Sequence, residues 1–170
     1  MIWIQGAEAR KPKYLGYKRC RGCHKKQYDS WKDTAMAKTF NALVPGVNSE
    51  GKSEAGLDPN KDYTKDPKCL RCHATGYGEP GGFVNYVETP DLAGVTCEAC
   101  HGAGDRYYMV MSKKRKTYRL IDLLAAGYER PSQVTCNKCH VPGCPLADED
   151  HSMDFDDSIG HDRFPLRYEH

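Results

Sequence analysis

The sequence predicts a mostly α-helical chain with extensive irregular loops, folded compactly around something other than its own side chains. Three observations lead there. The 170 residues are polar, with 39% hydrophobic, only 4 Phe and a mean hydropathy of −0.75. At about 25 cal/mol per Å² buried, that is little aliphatic area to set against the entropy of ordering the chain. Yet the chain carries 11 Tyr, 2 Trp and 9 Cys, which disordered chains of such polarity do not. Finally, an apolar helical period and Gly- and Pro-rich stretches alternate along it.

The cysteines say what fills the centre. Eight of the nine form identical C-x-x-C pairs, Cys20/Cys23, Cys69/Cys72, Cys97/Cys100 and Cys136/Cys139, each followed at once by a histidine: His24, His73, His101 and His140. Two Cys₄ zinc sites are the plain alternative, and such sites fold small polar domains. Zinc places no demand on the next residue, however. With 7 His in the chain, four coincidental placements have a chance of roughly one in a few hundred thousand, taking composition as the prior. Disulfide and iron–sulfur readings leave the histidines equally unexplained. C-x-x-C-H is the attachment signal for c-type haem. The two thiols on one turn add to the vinyl groups of one porphyrin, and the adjacent imidazole ligates its iron. The expected fold is therefore a compact multihaem cytochrome c fold with four covalently attached haems forming the core. A chain of this length has a radius of gyration of about 15 Å, so the porphyrins must lie near contact.

Along the chain, residues 1–9 read as an export-signal remnant or flexible tail, ending in Ala7-Glu8-Ala9, and residues 10–170 as a single tetrahaem domain. A helix is expected from about His24 to Leu43, with Tyr28, Trp31, Ala35, Met36, Thr39 and Leu43 on one face and Pro45-Gly46 ending it. Residues 46–66 read as a surface loop, and Phe83 to Val87 as a short strand. Gly102 and Gly104, after the third CxxCH, would let backbone approach a porphyrin face. A second helix is expected from Tyr118 to Ala126, closed by Gly127, with residues 141–170 mostly irregular.

Four irons also need ligands on the far side. The remaining histidines, His151, His161 and His170, all lie downstream of the last CxxCH and are candidates. The fourth position is open or falls to a thioether, from Met36, Met109, Met111 or Met153. Met36 stands on the apolar face of the first helix, where a gap-filling methionine would also stand.

Several segments are similar to a known family. Tyr14 to Ala37 (YLGYKRCRGCHKKQYDSWKDTAMA), Cys72-His73-Ala74-Thr75-Gly76-Tyr77-Gly78, Cys97-Glu98-Ala99-Cys100-His101-Gly102 and the ending from Gly160 to His170 resemble multihaem cytochromes related to the tetrahaem electron acceptor of hydroxylamine oxidoreductase. The resemblance spans nearly the whole chain. It implies distal roles for Met36, at the W-x-x-T-x-(His or Met)-A position, and for His161 and His170. Met36 stands where many members have His, which implies one high-potential haem. His151 lies outside the matched pattern, so the resemblance leaves one haem five-coordinate, as in the namesake acceptor, and open to nitric oxide or another small ligand.

Charge bears on partners. Formal net charge is +2 before the haem propionates are counted. Residues 10–26 hold eight Lys or Arg, Lys113-Lys114-Arg115-Lys116 is a basic run, and residues 144–170 hold eight Asp or Glu against two Arg. These are solvated faces, or they steer redox partner proteins or head-to-tail self-association. No nucleic-acid-binding motif accompanies the basic run, and no apolar stretch is long enough to span a membrane. Cys144 is left unassigned as a free or intermolecular thiol. The expected protein is a periplasmic or extracellular electron carrier rather than an enzyme. The rival readings are a reductase at an open haem and a subunit of a conductive filament.

Overall fold

A computed structural model describes residues 10–114 and 117–141. The described chain is helical, as α1 (Tyr17–Arg21), α2 (Lys25–Trp31), α3 (Ala35–Lys38), α4 (Ser49–Glu54), α5 (Pro67–His73), α6 (Cys97–His101), α7 (Asp105–Lys113), α8 (Leu120–Ala125) and α9 (Gln133–Cys136). Two 3₁₀ turns, Thr39–Leu43 and Pro90–Leu92, complete it. Among the described residues there is no strand, only isolated bridges from Ala74 to Ala93 and Gly94. The helices are short, and loops carry much of the chain.

The helix expected over 24–43 is broken into α2, α3 and a 3₁₀ turn. Thr34 is the reason. Its hydroxyl donates to the Trp31 carbonyl at 2.7 Å and accepts from Ala37 N–H at 3.3 Å, ending one helix and capping the next. Residues 46–66 are not only loop: α4 forms there and carries Lys52, 1% exposed, whose ammonium donates to the Val44 carbonyl at 2.6 Å. The strand expected at 83–87 is a turn, because Asn85 Oδ1 accepts from Val87 and Glu88 N–H, both at 2.9 Å. The helix expected over 118–126 is found as α8. Gly127, at φ +91°, closes it: its own N–H bonds the Leu124 carbonyl and Tyr128 N–H the Leu123 carbonyl, both at 3.0 Å. The sequence pattern did not indicate α7, whose buried face is a single residue, Tyr107.

The conventional core is small. Phe40, Leu43, Tyr63, Leu70, Ala74, Phe83 and Leu92 form one apolar cluster around α5. A second knot is polar and joins distant chain. Residues 10–16 pass between the 76–82 turn and the start of α7, where Tyr14 N–H bonds the Pro80 carbonyl (3.4 Å) and Asp105 N–H the Lys13 carbonyl (3.1 Å). Asp105 replies with its carboxylate, which accepts from Lys13 N–H at 2.9 Å and from Arg10 at 2.6 Å.

Candidate functional site

All four CxxCH segments adopt the same local form, one helical turn. The third is the whole of α6 and the second ends α5, after Asp66 caps it (Lys68 N–H to Oδ1, 2.9 Å) and Pro67 opens it. The first and fourth start in α1 and α9 and finish just beyond, where His24 N–H bonds the Cys20 carbonyl and His140 N–H the Cys136 carbonyl, each at 2.9 Å. Helical geometry puts positions i, i+3 and i+4 on one face. In every turn both thiols and the imidazole thus share a side, as one tethered and ligated porphyrin requires.

Two of the histidine rings are set for ligation. His73 Nδ1 lies 2.7 Å from the Thr39 carbonyl, and His101 Nδ1 lies 3.4 Å from that of Glu129. A carbonyl only accepts, so Nδ1 carries the proton and Nε2 is left as the ligating nitrogen. The His101 ring also stacks on Tyr128, with centroids 5.3 Å apart and planes 11° apart. Aromatic walls stand nearby. Tyr17, Tyr28, Trp31, Phe40 and Tyr86 line a cavity of about 220 Å³ beside the first turn.

The turns also meet each other. Cys20 lies beside Cys97, Cys72 beside Cys139, and Cys100 near Cys136. Each pair joins different turns, giving the order first, third, fourth, second. Cys23 is the most open of the set, being exposed where the other seven are half-buried.

The glycines after the third turn face protein. A Cβ on Gly102 would meet the Gly127 carbonyl at 2.8 Å, and one on Gly104 would meet Glu98 Oε1 at 2.7 Å. Sequence reasoning passed over Glu98, which lies between Cys97 and Cys100. It is 1% exposed, and its carboxylate accepts from Leu15 N–H (3.0 Å), Gly16 N–H (2.7 Å) and Gly104 N–H (2.7 Å). Burial raises its pKa against the pull of those three amides. Its signal in the sequence was an acid placed inside an otherwise small, apolar turn.

Met36 is half-exposed, and its carbonyl accepts from Val95 N–H at 3.0 Å, which sets α3 beside the start of the third turn. Trp31 reinforces the contact by donating Nε1–H to the Val95 carbonyl at 2.9 Å. Met109 is 47% exposed on α7, with Met111 half-buried on the same helix. His151, His161, His170, Met153 and Cys144 lie outside the described residues.

Among the described residues no three Cys, His, Asp or Glu converge as a zinc site demands. Two thiols and an imidazole on one side of a helical turn, found four times, fit c-type haem, and at His73 and His101 a carbonyl also holds the proton on Nδ1. The fold and these turns define a multihaem c-type cytochrome. The family described as cytochrome c554 and c-prime matches residues 19–102. Cytochrome c-554 of Nitrosomonas europaea is 40% identical over 135 residues, covering 75% of this chain and 57% of that protein. The structure of reduced cytochrome c554 from the same organism superposes with a TM-score of 0.72 at 38% identity, over 78% of this chain and 67% of that one. The chain belongs to the cytochrome c554 family, and it spans a little over half the length of the curated relative.

Proposed function

We propose that the chain is a tetrahaem electron carrier that passes electrons between redox partner proteins in the periplasm. Family membership supports this reading, and one observation carries it: the CxxCH turns lie side by side, with Cys20 beside Cys97, Cys100 near Cys136 and Cys72 beside Cys139. Groups tethered at such turns are held close enough for electrons to pass without a diffusing intermediate. Bound haem supplies a one-electron iron couple at each turn. The chain does the rest. Cys20/Cys23, Cys69/Cys72, Cys97/Cys100 and Cys136/Cys139 tether, and His24, His73, His101 and His140 ligate from the near side. The Thr39 and Glu129 carbonyls hold two of those imidazoles in register.

On the far side, Met36 serves one iron, from a segment that lies against both the third turn at Val95 and the second at His73. His161 and His170 serve two others, and the fourth iron is taken by His151 or left open. The first turn is the entrance. Exposed Cys23 is surrounded in sequence by exposed Arg19, Arg21, Lys25, Lys26 and Lys32, a cationic face for an acidic partner. No helix among the described residues is long and apolar enough to cross a membrane.

Haem-stained mass and visible spectra test the reading. A mass of polypeptide plus four haems, with at least three irons low-spin and reversible one-electron titration, is expected. A mass equal to the polypeptide alone, with no Soret band and zinc released on acidification, would overturn it. A high-spin ferric component that shifts on adding nitric oxide would instead place chemistry at an open iron. For Met36, a far-red thioether–ferric band is expected to vanish in Met36→Ala; an unchanged band rejects it as a ligand.

A further inference from the structure

Glu98 is built into the third turn in a way that tethering and ligation do not explain. It occupies the first x of C-x-x-C, between the two thiols that hold one porphyrin. Its carboxylate is buried, 1% exposed, and every polar partner it has is a donor: Leu15 N–H to both oxygens at 3.0 Å, Gly16 N–H to Oε2 at 2.7 Å and Gly104 N–H to Oε1 at 2.7 Å. With donors on both oxygens and no acceptor for a proton, the group is held as an anion. No Lys or Arg among the described residues forms an ion pair with it, whereas the neighbouring Asp105 pairs with Arg10 at 2.6 Å. The negative charge is stabilised by amide dipoles but not neutralised.

Its partners also come from two other places in the chain. Leu15 and Gly16 lead directly into α1, which carries Cys20, and Gly104 opens α7. The carboxylate thus ties the approach to the first turn onto the third, and the Cys20–Cys97 contact lies beside that tie. A Cβ on Gly104 would sit 2.7 Å from Glu98 Oε1, so a larger residue there would push the carboxylate aside.

We propose that Glu98 lowers the reduction potential of the haem on the third turn and fixes that turn against the first. The inference rests on the electron-carrier reading above. An anion left unneutralised in a buried site favours whichever redox partner carries more positive charge, here ferric over ferrous iron. The haem on the third turn would then lie at a lower potential than its iron ligands alone would set. Glu98 is a positioning and potential-setting residue, and it is not an iron ligand.

A spectroscopic redox titration of the purified holoprotein tests this, with haem content checked by mass. Glu98→Gln, which keeps the shape and removes the charge, is expected to retain every haem and to raise one potential while leaving the other three in place. Glu98→Asp, which keeps the charge, is expected to bring that potential back toward the parent value. Unchanged potentials in a fully loaded Glu98→Gln protein would overturn the proposal, and so would an equal shift of every haem. Should Glu98→Gln load one haem fewer, retention in Glu98→Asp supports the need for an anion, and loss in both variants refutes it. A parent protein that carries no haem fails the function proposed above before Glu98 is tested.

Discussion

The second and third CxxCH turns share a local geometry and are secured by opposite means. The second lies in an apolar nest, where Leu70 of α5 packs with Phe40, Leu43, Tyr63, Phe83 and Leu92. The third is held by a carboxylate that takes amides from a remote segment, Leu15–Gly16, and from Gly104 just beyond the turn. Apolar packing is non-directional and tolerates small shifts. A carboxylate shared among three amides fixes position and adds charge. The same tethering unit is therefore free to differ in electrical environment from one copy to the next.

The largest expected effect comes from breaking the polar side. Glu98→Ala leaves three amides, two of them buried, without an acceptor, a loss of about 3–5 kcal/mol; a midpoint within a degree or two of the parent in thermal unfolding would contradict it. Leu70→Ala opens a cavity in the apolar nest and is expected to cost about 3 kcal/mol, with the third haem's potential unmoved. A change there would show that the two regions are not independent. Thr34→Ala removes the cap of α3, which touches both regions, for about 1 kcal/mol, and equal weakening of both turns by hydrogen exchange is the expected pattern.

The smallest effect concerns acid. Burial pushes Asp105 up, but the Lys13 amide and Arg10 together bring its pKa below the ordinary 3.8. A depressed carboxylate contributes stability that is present above its unfolded pKa and lost as pH falls through its folded one. Acid titration below pH about 3.8 should loosen the N-terminal tie beside the third turn before it disturbs the nest around Leu70. Asp105→Asn should abolish that difference. Loosening of both regions together in the parent would count against it.

The tethering residues were readable because covalent chemistry dictates their spacing, and each CxxCH is one helical turn whatever surrounds it. Helical class and the Gly127 stop were readable for a similar reason, since each depends on a few adjacent residues. Punctuation by side-chain hydrogen bonds was not. Thr34 splits an apolar period that runs on through it, and Asn85 bends a β-like segment by capturing two amides. Lys52 was lost in a polar stretch because burial against the Val44 carbonyl depends on chain that returns from elsewhere. Glu98 is the sharpest case, because its partners lie 83 and 82 residues away on one side and 6 on the other.

The strip from Met36 to Thr39 has a consequence of its own. Its first carbonyl anchors Val95 ahead of the third turn, and its last receives the imidazole of the second. Two iron stations are thus gauged from opposite ends of one short ruler. Lengthening it by a residue would leave at least one station out of alignment whichever end stayed in place. Inserting alanine after Ala37 should accordingly perturb the spectra of two haems together, and a lineage of such proteins should vary its loops far more readily than the length of this segment.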